Sequence, residues 1–211
     1  MSPAAGGSPH YWDEAIAGLA GADPVLGTLI GRWPGERLVL RGDPFLTLAR
    51  AIVGQQISVK AAQTIWGRFA RAAGEVAPAR VARMRPATLT RAGLSQRKAE
   101  YLRDLAVHFV TGRIVPDRWP MLDDETVIAE LIAVRGIGRW TAEMFLMFNL
   151  MRPDVMPLDD IGLLQAIGVH YNGGIRVSRE QAREIAVRWR PWRTVAAWYL
   201  WRSLDPLPVE Y

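Results

Sequence analysis

At 211 residues the chain is long enough for one domain, or for two small lobes sharing a core, and half of its residues are hydrophobic. Cysteine is absent, which excludes disulfides, thiol catalysis, Cys-ligated zinc and iron–sulfur clusters. The net charge of +5 is carried almost wholly by arginine, with Lys60 and Lys98 the two lysines; it permits a polyanionic partner, and an Ala- and Arg-rich composition would give the same balance.

Residues 1–10 read as a flexible tail, without the charged and apolar regions of a secretory signal, and 11–211 as one all-α domain. No run of about 18 apolar residues offers a membrane span, so a cytoplasmic protein is expected. The three histidines, His10, His108 and His170, are too scattered to suggest zinc. A first helix is predicted over 11–22. The next opens on Asp43 as N-cap with Pro44 as first helical residue and runs to about Val53. Ser58 caps a third, which ends at Gly74. Short helical spacing follows over 86–93. Ser95 caps a long helix ending at Gly112. The stretch LDDETVIAELIAV starts at an Asp and sets Val127, Ile128, Leu131 and Ile132 on one face. Ser178 and Gln181 form a capping box before SREQAREIAVRW, and PWRTVAAWYLWRSL closes the fold. Trp12 and Trp66 are expected in the core.

Residues 131–148, LIAVRGIGRWTAEMFLMF, read as helix, turn (134–138) and helix. Gly136 and Gly138 allow positive φ and close approach, and the N–H groups at the start of the second helix make an anion site. No Gly-Lys-Ser/Thr follows, so a nucleotide P-loop is not indicated. Alone, the glycine pair is equally a plain αα-hairpin with a Gly cap.

Further on, MPLDDIGLL (156–164) sets two acids side by side. They cannot both face one point. Pro157 forbids helix before it, so Asp159 reads as the N-cap and Asp160 as a residue of the first turn, where the helix dipole favours its ionised form. An isolated pair of this kind is equally two cap-region acids.

The hairpin VRGIGRWTA, followed by MPLDD with its second Asp twenty residues after Trp140, resembles the helix-hairpin-helix DNA glycosylases, the HhH-GPD superfamily. AIVGQQISVKAA (51–62), GLSQRKAEYLRDLA (93–106) and WRPWRTVAAWYLW (189–201) resemble its alkylation-repair branch, the bacterial 3-methyladenine DNA glycosylase II type. The likeness spans about 11–203, with four motifs in the family's order, and lacks the β-rich N-terminal domain of longer members.

The resemblance implies a two-lobed helical fold with its active site in the cleft between lobes, no required cofactor, and double-stranded DNA containing alkylated bases as partner of a monomer. Such an enzyme grips backbone phosphate, extrudes one nucleotide and breaks a C1′–N bond. The hairpin residues Arg135, Gly136, Ile137, Gly138, Arg139 and Thr141 would bind DNA. A structural Na⁺ or K⁺ would sit on the backbone carbonyls of Ile132, Val134 and Ile137.

GQQIS supplies the minor-groove probe, Gln55, Gln56, Ile57 and Ser58, with Gln56 at the wedge position, where relatives carry larger apolar residues. Equally, Gln55 and Gln56 satisfy loop backbone groups. Gln96, Arg97 and Lys98 contact phosphate or are simply solvated. Asp160 is the catalytic acid implied. Trp140 stands where strand-nicking relatives carry a Schiff-base lysine, which implies a monofunctional enzyme. Trp140 and Trp201, with Met144 and Phe45, match or approach the substrate pocket, and aromatic walls suit cationic alkylpurines; Phe145 and Trp198 are weaker candidates. The substrates implied are 3-methyladenine and 7-methylguanine, extending to 1-methyladenine and 3-methylcytosine. Two alternatives stand beside this reading: a glycosylase for uracil, mismatched or oxidised bases, and a non-catalytic DNA-binding module.

Overall fold

The computed structural model describes residues 7–204, which form twelve α-helices and two 3₁₀ turns and contain no strand. No helix among them is long and apolar enough to cross a membrane. The chain divides into two compact units, one built from its two ends, up to Leu40 and from Leu146 on, and one from Arg41–Phe145.

The first unit holds α1 (Trp12–Ala22), α2 (Pro24–Arg32), α10 (Ile161–Tyr171), α11 (Arg179–Ile185) and α12 (Arg193–Leu204). α2 was not expected, because Gly27 and Gly31 break its apolar spacing. It forms because Asp23, the C-cap of α1, is also its N-cap, with Pro24 at the first helical position. Asp23 is 2% exposed and fully engaged. Its Oδ1 accepts from Val25 N and Leu26 N, and its Oδ2 from Tyr171 Oη and Trp189 Nε1, both at 2.9 Å. One carboxylate thus ties α2, the end of α10 and the 3₁₀ turn Ala186–Trp189 together. α12 carries Val195, Ala196, Ala197, Tyr199 and Leu200 into the interior and packs on α1, α2 and α10. Residues 7–10 are not a free tail: Leu40 N–H donates to Gly7 O at 3.0 Å, and Ser8 Oγ to Leu38 O at 3.2 Å. The rest of the expected tail, 1–6, and the last seven residues lie outside the described residues.

The second unit holds α3 (Pro44–Gly54), α4 (Val59–Ala73), α5 (Pro78–Ala82), α6 (Pro86–Arg91), α7 (Gln96–Val110), the 3₁₀ turn Pro116–Met121 and α8 (Asp124–Ile132). The caps expected at Asp43, Ser58, Ser95 and Ser178 all form, the last as a full capping box, and of the two acids that open the next helix it is Asp123 that caps α8. Leu48, Ile52 and Val53 of α3 and Leu102, Leu105 and Ala106 of α7 make the core where these helices pack. Two expectations are corrected here. Ile132, at the end of α8, is 48% exposed and leaves the apolar face to Val127, Ile128 and Leu131. Trp66 is only half-buried; its ring meets Phe69 edge-on on one side and the Arg50 guanidinium, 4.1 Å from its centre, on another. The chain passes from the second unit into the first within α9 (Arg139–Phe148).

Candidate active site

Asp160, not Asp159, is the N-cap of α10. Its backbone is extended (φ −79°, ψ 111°), and its Oδ1 accepts from Leu163 N at 2.6 Å. The turn before it decides the matter: Asp160 N–H donates to Pro157 O at 3.0 Å, which brings Asp160 and not its neighbour to the first exposed amides of the helix. Asp159 lies in that turn, 43% exposed at its side chain, paired with Arg179 at 2.8 Å. Asp160 is 7% exposed, and its Oδ1 takes a second donor, Trp201 Nε1 at 2.9 Å. Trp201, 4% exposed, lies with its ring stacked at 6.2 Å on Phe148. Gly162 completes the arrangement: a Cβ there would stand 3.2 Å from Asp160 Oδ1, so glycine leaves room for the carboxylate.

The segment leading to Asp160 is clamped to the start of α12. Thr194, fully buried, donates its hydroxyl to Arg152 O at 2.6 Å and accepts from Val155 N at 3.1 Å. Its own N–H donates to Pro153 O at 3.0 Å. Arg193 grips Asp154 through Nε at 2.6 Å and Nη2 at 2.9 Å. Trp201 follows Thr194 by seven residues, about 10 Å along the same helix axis. One helix therefore holds the loop at its root and the carboxylate at its tip.

In the second unit, the hairpin and the 54–58 loop are bound to each other. Gln55 Nε2 donates to Gly136 O at 2.8 Å. Gly136 has φ 86°, and a Cβ on it would fall 2.2 Å from the Tyr101 ring, so both conformation and space demand glycine. Gly138 differs from expectation: its φ is not positive, and a Cβ there would meet nothing within 4 Å. The first turn of α9 closes with Ala142 N donating to Gly138 O at 3.0 Å, which sets the amides of residues 139–141 at the helix N-terminus. Arg135 N–H is held by Asp104 Oδ2 at 2.9 Å. Arg139 pairs with Glu125 and Glu143; its hydrogen bond with Glu125 is the main cause raising the guanidinium pKa and lowering that of Glu125. Gln56 is exposed with φ 58°, an uncommon conformation for a non-glycine residue, and Ile57 and Ser58 are exposed beside it. Lys98 is placed differently from the surface phosphate contact considered for it. Its ammonium donates to Val53 O at 2.8 Å and Gln55 O at 2.7 Å, capping the end of α3 and fixing the loop, and the accompanying desolvation lowers its pKa.

The description "HhH-GPD superfamily base excision DNA repair protein" matches residues 49–191, a stretch that contains the 54–58 loop, the hairpin and Asp160. The chain belongs to the HhH-GPD superfamily. Among similar proteins, the DNA-3-methyladenine glycosylase of Bacillus subtilis is 31% identical over 88% of this chain and 65% of its own length. The chain thus spans a little under two thirds of that relative. The crystal structure of DNA-3-methyladenine glycosidase from Bacillus halodurans aligns with a TM-score of 0.84 at 34% identity, covering 90% of this chain and 88% of that one. Schizosaccharomyces pombe 3-methyladenine DNA glycosylase (Mag1), solved in complex with abasic DNA, aligns at 0.78 with 29% identity over 94% of this chain and all of that one.

For an HhH-GPD member the remaining candidates fall out as follows. Trp140, half-buried, and Met144, 7% exposed, stand one turn apart on α9. Phe45 is a core residue, 2% exposed, edge-on to Phe109, because 45, 48, 49 and 52 form the inward stripe of α3. Phe145 likewise packs edge-on to Trp119. Thr194, Arg193 and Gly162 were not among the expected site residues, and Trp201 was not expected as the second donor to Asp160. Their partners lie 39 and 41 residues away or depend on a tight turn, and no local spacing reports them.

Proposed function

We propose that this HhH-GPD protein is a monofunctional DNA glycosylase that hydrolyses the N-glycosidic bond of alkylated bases in duplex DNA. The observation that carries this reading is the buried Asp160 carboxylate at the head of α10, with Leu163 N–H and Trp201 Nε1 both on Oδ1. The kinship with proteins named as 3-methyladenine glycosylases, one of them solved with abasic DNA, supports the substrate class and the DNA.

The chemistry follows from that carboxylate. As the C1′–N bond lengthens, its electron pair leaves with the base and positive charge spreads over C1′ and the ring oxygen. Asp160 stabilises that charge, orients a water toward C1′ and takes a proton from it as the C1′–O bond forms. The products are the free base and an abasic site. An N3- or N7-alkylated purine is a cation before cleavage and departs neutral, so its leaving requires no acid. Two donors on Oδ1 hold the carboxylate in one orientation throughout.

The other residues divide the remaining work. Amides of the hairpin around Gly136, Gly138 and Trp140 take a backbone phosphate, aided by the α9 dipole. The donor set of Ile132, Val134 and Ile137 carbonyls suits a hard monovalent cation; Val134 O also accepts Ile137 N–H at 3.1 Å and keeps a second lone pair for such an ion. Bound there, the ion would add positive charge beside the phosphate. Gln56, at the apex of a loop fixed by Lys98 and Gln55, fills the gap left by the extruded nucleotide. Trp140 presents an aromatic surface that favours a cationic base over a neutral one, and its presence in place of lysine leaves no Schiff-base nucleophile at that position.

The test is release of bases from methylated DNA, with chromatographic identification of each. Free 3-methyladenine and 7-methylguanine are expected, with the strand unbroken until alkali is added; 1-methyladenine and 3-methylcytosine define the breadth of the pocket. Release of uracil or an oxidised base, with none of these, would overturn the reading.

A further inference from the structure

The basic residues are not spread evenly. Residues 59–98 carry nine Lys and Arg against one acid, Glu75, whereas the other 171 residues carry seventeen Lys and Arg against twenty Asp and Glu. Within that stretch, Arg68, Arg71 and Arg91 line one open concavity of about 310 Å³ together with Thr88, Ala72 and Ala92. All three arginines are exposed, no acid lines the concavity, and none of the three forms a salt bridge with another described residue. Several other arginines on this protein are matched to carboxylates, as at Arg37–Asp13, Arg183–Glu180 and Arg193–Asp154. Three unmatched guanidiniums around one hollow repel each other unless an anion lies among them.

Their placement is not incidental. Arg68, Arg71 and Ala72 share one face of α4, while Phe69 and Ala73 are buried on the other. Arg68 is ten residues beyond the Ser58 cap, about 15 Å along the axis from the 54–58 loop. Arg68 Nη1 also lies 3.8 Å from where a Cβ on Gly93 would begin, in the turn that leads to Ser95 and the exposed Arg97. The hollow is thus continuous with the probe loop through α4 and with the start of α7 through that turn.

We propose that the Arg68–Arg71–Arg91 hollow is a second phosphate clamp, which binds the DNA backbone away from the lesion and lengthens the footprint beyond probe loop and hairpin. This rests on the glycosylase reading. Guanidiniums give bidentate contacts to phosphate oxygens and carry no base information, so the clamp strengthens binding to any duplex long enough to reach it. It does not take part in bond cleavage.

The test compares the full chain with the triple variant Arg68→Gln, Arg71→Gln, Arg91→Gln on a lesion duplex of about 30 base pairs, roughly three helical turns. The three side chains are exposed, so a thermal melt is expected to match that of the unaltered protein. The clamp predicts a plot of log K against log salt shallower by up to about three, near 0.9 for each phosphate that is no longer neutralised, and a single-turnover excision rate at saturating protein changed less than about twofold. Equal slopes would overturn the clamp. A further arm adds inorganic pyrophosphate: if it raises the melting temperature of the unaltered protein alone while the slopes coincide, the hollow is a free-anion site and the assignment to DNA backbone is wrong. Failure of the unaltered protein to release any base would instead strike the glycosylase reading, which the slopes do not test.

Discussion

Asp160 caps α10 with the same carboxylate that the proposed reading assigns to catalysis, and substitutions separate the two roles. Asn caps helices as well as Asp, so Asp160→Asn should keep the Leu163 hydrogen bond and melt within about 1 kcal/mol of the unaltered protein. It should nonetheless lose base release by about a thousandfold or more, near 4 kcal/mol of transition-state stabilisation. Single-turnover assays beside thermal melts measure both. Trp201→Phe removes the second donor on Oδ1 while keeping the ring against Phe148. A hydrogen bond to a charged group contributes about 1.5–3 kcal/mol, so excision should slow by about tenfold to a hundredfold with DNA affinity nearly unchanged; an unaltered rate would remove Trp201 from the positioning of the carboxylate. At this scale the sequence located the acid pair and singled out Asp160, but assigned the helix cap to Asp159 where Asp160 holds it. Local rules let either Asp cap the helix. What separates them is the Pro157–Asp160 turn, Arg179 holding Asp159 outward, and an indole 41 residues away.

Among the elements, the hairpin and the 150s loop make opposite demands on their residues. Gly136→Ala would place a methyl group at φ 86° and into the Tyr101 ring. A left-handed non-glycine residue costs about 1–2 kcal/mol before any clash, so this variant should lose stability and bind an abasic-site duplex at least about tenfold more weakly. Gly138→Ala meets nothing within 4 Å and has no positive φ. It should melt like the unaltered protein and still weaken DNA binding, because its new methyl group would stand between the amides and a phosphate. Normal binding by Gly138→Ala would mean that DNA does not approach the hairpin backbone closely there. Thr194→Val keeps the shape of a fully buried side chain but removes the hydroxyl that accepts from Val155 N–H and donates to Arg152 O. It should lower stability by about 1–3 kcal/mol. Helix starts were legible because a cap is chemistry within three residues, and four of the five expected caps form, Asp159 being the exception. The short α5 and the 3₁₀ turn at Pro116–Met121 were not, since five or six residues are too few to display a period.

For the molecule as a whole, the legible part was the chain order of motifs, which carried family and helical class together. Two lobes were expected from the resemblance, but which stretches of chain build each unit was not legible. One unit is assembled from the two ends of the chain, and its loop at 152–160 is held by a helix that begins more than thirty residues later. A distribution of charge that looks modest as a net +5 conceals a basic stretch at 59–98. Binding should therefore be steeply salt-dependent, falling about a thousandfold between 50 and 200 mM salt if six or so phosphates are engaged; a flat profile would argue against the backbone grip. The most direct measurement is single-turnover release of base from a duplex carrying one 7-methylguanine, run side by side with the unaltered protein and Asp160→Asn. Free 7-methylguanine and an intact abasic strand are expected from the first, and bound lesion DNA with its base still attached from the second. Equal release by both, or none by the unaltered protein, would overturn the role of Asp160 in base release.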